Sequence, residues 1–159
     1  MSQANQGEAS LAILLRGLKL PSFVEYHEEV AGKAEREGWS FLQYLRHLAE
    51  LEINDRQRRR VERLLKGSGL PGEKTLATLD QNRLPTKVRR QLASLIGGSF
   101  LKHAKNVLAF GLPGRGKTHL MSAIGYELVQ LGYRVLFVPA FSLVQRLLRA
   151  KPGLEAERR

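Results

Sequence analysis

Residues 111–118 read Gly-Leu-Pro-Gly-Arg-Gly-Lys-Thr and fit the spacing G-x-x-x-x-G-K-[ST] at every defined position. The surroundings constrain the chain further. A short apolar run, Asn106-Val107-Leu108-Ala109-Phe110, precedes the motif, and helical spacing of Leu120, Ile124 and Leu128 follows it. The order is therefore strand, glycine-rich turn, helix. Glycines let such a turn wrap closely around a diphosphate, where a Cβ would clash or φ must be positive. Successive backbone N–H groups then converge on an anion, and the helix N-terminus adds partial positive charge. Gly111, Leu112, Pro113, Gly114, Arg115, Gly116, Lys117 and Thr118 are thus expected to hold the triphosphate of ATP or GTP. Lys117 would reach the β- and γ-phosphates, and the Thr118 hydroxyl would ligate Mg²⁺. The competing reading is a chance match in a glycine-rich turn.

A second apolar run, Arg134-Val135-Leu136-Phe137-Val138, follows Gly132 and ends at Pro139; helical spacing resumes from Phe141 to about Ala150. The order β-α-β-α predicts an α/β fold with a parallel sheet wrapped by helices. Hydrolysis would require a carboxylate at the end of another apolar strand to hold the Mg²⁺ shell. After Thr118 the acids are Glu127, inside the helix, and Glu155 and Glu157, in a polar tail. A two-stranded parallel sheet is also too small to stand alone. The expectation is therefore the first part of a P-loop nucleotide-binding domain, able to bind nucleotide, without the acidic strand and the elements beyond it.

Upstream the pattern is helical. Residues 1–9 are polar and read as a disordered lead. Ser10 can cap a helix carrying Leu11, Leu14, Leu15 and Leu18 on one face, and Pro21 opens a second that Gly38 ends. Ser40 opens the longest candidate, running to about Lys66, with Phe41, Tyr44, Leu45, Leu48, Leu51 and Glu52 as a core-facing stripe. Val61, Leu64 and Leu65 continue that stripe. Gly67-Ser68-Gly69-Leu70-Pro71-Gly72 reads as a linker, and Pro85 begins a helix that Gly97-Gly98 stops. The organisation expected is a helical domain over 1–67, a linker over 68–84, and the nucleotide-binding portion over 85–159.

The long helix turns basic toward its end: Arg56, Arg58, Arg59, Arg60, Arg63 and Lys66. The helix macrodipole favours cations there, and a solvated face would look the same. Six cations in so short a stretch also suit contacts to a nucleic-acid backbone. The formal net charge of +11 agrees, and it is uneven: residues 71–159 hold 15 Lys+Arg against 5 Asp+Glu. The chain has no cysteine, which excludes disulfides and cysteine-ligated zinc. Neither a signal peptide nor a membrane-length apolar run is present, so the expectation is a cytoplasmic protein with no membrane partner.

The ordered set of motifs resembles the IstB-like ATP-binding proteins, the helper ATPases of insertion-sequence transposons, which are related to the DnaC helicase loader. Leu18-Lys19-Leu20-Pro21 resembles the family's opening helix break, and Arg56 to Lys66 its basic helix. Thr75-Leu76 with Leu79-Asp80 is similar to the segment leading into the ATPase core. Asn106 through His119 resembles its strand and P-loop, including the His after Thr118, and Gly132-Tyr133-Arg134-Val135 with Phe137 its second strand. The resemblance implies a helical N-terminal domain followed by an AAA+ domain, with ATP and Mg²⁺ as cofactors and ATP hydrolysis by the full-length family. It also implies assembly on double-stranded DNA, homo-oligomers when full length, and engagement of the transposase of the same element. A helicase-loader role and a non-catalytic DNA-binding chain with a relic P-loop are the alternatives.

Overall fold

The computed structural model describes residues 3–150, with side chains from Ser10 onward. The tail 151–159, including Glu155 and Glu157, lies outside the described residues. Seven α-helices follow one another among them: α1 (Gln3–Gly17), α2 (Pro21–Glu37), α3 (Phe41–Ser68), α4 (Thr86–Ile96), α5 (Ser99–Lys102), α6 (Lys117–Gln130) and α7 (Ala140–Ala150). A 3₁₀ turn at Gln81–Arg83 precedes α4. The helix boundaries read from sequence hold closely for α2, α3, α4, α6 and α7. α1 starts ahead of Ser10 and takes in residues assigned to a disordered lead. α3 runs through Gly67 and Ser68, into the linker.

The chain divides into two compact units, Met1–Arg60 and Val61–Arg159. In the first, α1 packs on α2, and Val30 and Leu48 are buried. Of the stripe expected on α3, Leu48 and Glu52 are buried and Tyr44 and Leu51 half-buried, while Phe41 and Leu45 are exposed. The buried Glu52 closes the start of α2. Leu20, at the N-cap, gives no side-chain cap, so an orphan N–H at that end needs an outside acceptor. Glu52 Oε2 accepts the Ser22 N–H at 2.9 Å, and Ser22 Oγ donates to Asp55 Oδ2 at 2.9 Å. Tyr44 adds a third tie, donating its hydroxyl to the His27 carbonyl at 3.2 Å.

The second unit is built around Leu84, Leu92, Ile124 and Leu128, with Leu76, Leu79, Val88, Leu95, Ile96, Phe100, Leu120, Met121, Tyr133 and Val135 packed against them. Each fully buried aliphatic side chain of this kind contributes roughly 1.5–3 kcal/mol. α4 lies against α6 and α5 against α4. Leu120, Ile124 and Leu128 recur at four-residue spacing, which turns one stripe of α6 toward this core.

The parallel sheet expected from the sequence is not formed: among the described residues there is no strand. Asn106–Phe110 and Arg134–Val138 are irregular. As strands of that sheet, these apolar runs would be buried on both faces. They are not: Leu108 is 75% exposed, Phe110 87% and Leu136 69%. A strand is held by the ladder on its neighbours, and the backbone of the second run turns elsewhere. Phe137 N–H donates to the Ser68 carbonyl at 2.7 Å, at the end of α3. Apolarity alone does not make a strand when the partner that would complete its hydrogen bonds is not beside it.

Candidate phosphate-binding site

The turn Gly111–Gly116 leads directly into α6. Gly116 is the N-cap, with φ 78° and ψ 10°, and it provides no side-chain cap. Gly114 also lies in the left-handed region, with φ 75°. That conformation is costly for residues with a Cβ and routine for glycine. Space is not what demands glycine here, because a Cβ at either position would meet nothing within 4 Å. The backbone thus turns sharply and stands open to solvent at both positions. The first N–H groups of α6 have no side-chain acceptor at the N-cap, the arrangement in which a helix start attracts an anion.

Lys117, the first residue of α6, folds back over the turn. Its Nζ donates to the carbonyl oxygens of Gly111 and Leu112, both at 2.9 Å. The ammonium is thereby fixed above the loop although its stem is flexible. Arg115 N–H closes a loose internal bond to the Leu112 carbonyl at 3.4 Å, and its side chain is exposed. Thr118 is exposed on the first turn of α6. Motif residues 111–118 therefore come together as one surface: open backbone, a fixed cation and an accessible hydroxyl. Such a surface can bind a polyanion.

His119 was not singled out as a functional residue by the sequence. Its Nε2 lies 3.1 Å from the Thr75 carbonyl and 3.2 Å from Thr78 Oγ1. The 75–80 segment and the P-loop, quoted separately in the resemblance, are thus joined at the first turn of α6. The only sequence signal was the histidine directly after Thr118; the pairing across 41 or 44 positions has no periodicity to betray it.

The basic residues of α3 are less uniform than their run suggests. Arg56 Nε pairs with Glu52 Oε1 at 2.6 Å, and its Nη2 donates to the Lys19 carbonyl. Arg58 pairs with Asp55 at 2.8 Å, and Arg59 stands 3.5 Å from Glu52. Arg60 is exposed and also engaged. Arg63 and Lys66 are exposed, and no ion pair is formed by either among the described residues. Part of the cluster thus serves to neutralise acids of α3. Burial pushes the Glu52 carboxyl up, but hydrogen bonds from Arg56 and Ser22 outweigh it and leave it below its ordinary value. Arg58, followed by Ser22, holds Asp55 below its ordinary value too.

Around Trp39 a further group assembles that sequence reading passed over. Lys33 Nζ sits 5.2 Å from the Trp39 ring, and His47 meets that ring edge-on at 5.2 Å. Gln43, Arg46 and Glu50 complete the shallow hollow in the first unit.

A glycine-hinged turn, opening a helix and crossed by its first-turn lysine, is the backbone arrangement of phosphate-binding loops. A family model described as IstB-like ATP binding protein matches residues 13–159, and the chain belongs to that family. Its relatives agree. It is 40% identical, over 94% of its length, to a protein of Sinorhizobium fredii named as an insertion sequence ATP-binding protein, covering 51% of that protein. It is 38% identical over 84% of its length to the protein of Geobacillus stearothermophilus named for ATP binding in insertion sequence IS5376, covering 53% of it. It is 34% identical over 93% of its length to the Pseudomonas aeruginosa protein so named for IS21, covering 56% of it. The chain spans about half the length of the curated relatives it matches.

Proposed function

We propose that this chain binds the triphosphate of ATP, with Mg²⁺, through Gly111–Thr118, and serves as a DNA-binding helper of insertion-sequence transposition. The observation that carries the reading is the open turn at the start of α6, with Gly114 and Gly116 left-handed and the Lys117 ammonium held 2.9 Å from two loop carbonyls. Those residues fit the group. Backbone N–H groups of residues 114–118 would surround phosphate oxygens, Lys117 would neutralise them, and Thr118 would offer its hydroxyl to the metal. When bound, Mg²⁺ supplies charge neutralisation between the β- and γ-phosphate oxygens. Among the described residues no group of three or more His, Asp or Glu gathers to hold a metal, so Mg²⁺ would arrive with the phosphates. The proposal is therefore nucleotide binding; hydrolysis is not part of it.

DNA contact, engagement of a transposase of the same element and homo-oligomer formation are the wider parts of the proposal. Supporting the first are the net charge of +11 and the exposed Arg63 and Lys66 near the end of α3. No helix among the described residues is long and apolar enough to cross a membrane.

Thermal unfolding tests the nucleotide site. A ligand that binds only the folded chain stabilises it by about 2.7 kcal/mol at a hundred times its Kd. Mg·ATP should raise the unfolding midpoint of the parent chain and leave that of Lys117→Ala unchanged. Thr118→Val should keep a response to ATP and lose the extra gain from Mg²⁺. Equal midpoints with and without Mg·ATP in the parent chain would leave a relic loop as the better reading.

A further inference from the structure

The segment between α3 and the 3₁₀ turn does not hang free. A Cβ at Gly125 would come within 3.0 Å of Leu70 Cδ2, and one at Gly72 within 3.9 Å of the Tyr126 hydroxyl. Residues 70–72 thus lie against the middle of α6. Further along, Thr75 N–H donates to Thr78 Oγ1 at 3.1 Å and Thr78 Oγ1 donates to the Glu73 carbonyl at 2.7 Å, closing a small turn. His119 joins that turn to the start of α6. A carbonyl can only accept, so the Nε2 facing Thr75 carries the hydrogen, and Thr78 Oγ1 shares it. The segment therefore runs beside α6 from Gly125 back to His119 and ends one residue from the motif.

We propose that His119 is a positioning residue for the phosphate-binding turn. Its bond to the Thr75–Thr78 turn fixes the first turn of α6, and with it the N–H groups and the Lys117 stem that an anion would meet. α6 begins at a left-handed glycine with no side-chain cap, so its first turn is not held by the usual means. His119 supplies a hold through the Thr75–Thr78 turn instead. The inference rests on the nucleotide reading above and deepens it.

Isothermal titration of the full chain with Mg·ATP, and separately with inorganic tripolyphosphate, tests it. His119→Ala should weaken both ligands by the same factor, about fivefold to tenfold for one lost hydrogen bond that orders a binding site. His119→Gln, whose amide can still donate to the Thr75 carbonyl, should recover much of the loss. Thr78→Val leaves α6 untouched and should show a smaller loss in the same direction. Amide hydrogen exchange over residues 73–79 should slow on adding Mg·ATP to the parent chain and not to His119→Ala. Unchanged affinity in His119→Ala, with or without a lower unfolding midpoint, overturns the proposal. So does a loss for ATP that tripolyphosphate does not share. Lys117→Ala separates the two levels: if it still binds both ligands, the nucleotide site itself is elsewhere; if it binds neither while His119→Ala binds normally, only the positioning role fails.

Discussion

The Glu52 carboxylate of α3 accepts the backbone N–H of Ser22, thirty positions earlier in the chain, at 2.9 Å and so caps the start of α2. Glu52 is 4% exposed, and its other oxygen takes Arg56 at 2.6 Å. One buried acid therefore closes a helix end and holds a cation. Replacing it with alanine leaves the Ser22 N–H without its acceptor and Arg56 with the Lys19 carbonyl but without its acid. Glu52→Ala should destabilise the first unit by about 2–3 kcal/mol, the sum expected for a lost cap and an unsatisfied buried donor. Trp39 is the only tryptophan and lies in that unit, so urea unfolding followed by its fluorescence reads the effect. An unchanged midpoint would show that α2 closes without Glu52.

Acid should act on the same contact. Glu52 and Asp55 both lie below their ordinary values of 4.5 and 3.8. A carboxyl lowered on folding contributes stability that is complete above the unfolded value and is lost as pH falls through the folded one. The Trp39-reported stability should accordingly be flat near neutrality and fall below about pH 4.5. Glu52→Gln keeps an oxygen that can accept from Ser22 but cannot titrate. Its stability curve should be lower at neutral pH and shallower on the acid side. An acid limb as steep as that of the parent chain would assign the proton uptake to other groups.

These contacts mark where sequence reading succeeds and where it stops. The helices were legible because their signals are local: Pro21 and Gly38 bracket α2, and Leu120, Ile124 and Leu128 repeat along α6. The turn into α6 was legible because its glycines stand where the backbone becomes left-handed, at Gly114 and Gly116, directly ahead of the helix. The sheet was misread because Val107-Leu108-Ala109-Phe110 records apolarity, whereas a strand also needs a neighbour for its backbone. Glu52 was placed on the core-facing stripe by spacing alone, and nothing nearby announced Ser22 as its partner. The basic run on α3 looked uniform in sequence, yet Arg56, Arg58 and Arg59 answer acids of the same helix. Partners separated by tens of residues leave no periodicity to read.

Two glycines of the second unit should respond unequally to alanine. Gly98 is buried with φ 70°, and a Cβ there would stand 3.0 Å from Leu128 Cδ2 and 3.2 Å from the Tyr133 ring. Left-handed strain and crowding act together, so Gly98→Ala should cost about 2–3 kcal/mol. Gly125 sits inside α6, where its own backbone is ordinary and its closest neighbour is the far end of the flexible Leu70 side chain, at 3.0 Å. A helix-interior Gly→Ala change gains about 1 kcal/mol in propensity, which offsets a small shift of Leu70. Gly125→Ala should therefore be nearly neutral, whereas Gly125→Val should destabilise by about 1–3 kcal/mol through overpacking. Thermal unfolding followed by helical circular dichroism distinguishes the three. A Gly125→Ala loss as large as that of Gly98→Ala would mean that Leu70 cannot move.

The proposed DNA contact makes a prediction that depends on which cations are already engaged. Arg56, Arg59, Arg60, Arg63 and Lys66 follow three- and four-residue steps along α3, which put successive members on one helix face. Arg56 is bound to Glu52 and to the Lys19 carbonyl, and Arg59 lies beside Glu52. Arg63 and Lys66 are exposed toward the helix end, and neither forms an ion pair among the described residues. Each phosphate contact releases condensed counterions, so removing one lowers the salt slope of the binding constant by about 1. Arg63→Ala and Lys66→Ala should each flatten the slope measured by fluorescence anisotropy on a duplex of arbitrary sequence. Arg56→Ala should lower stability more than slope, because its first role is to balance a buried acid. If the slopes of Arg63→Ala and Lys66→Ala match the parent while duplex binding persists, the basic end of α3 is a solvated face and the DNA contacts lie elsewhere on the chain.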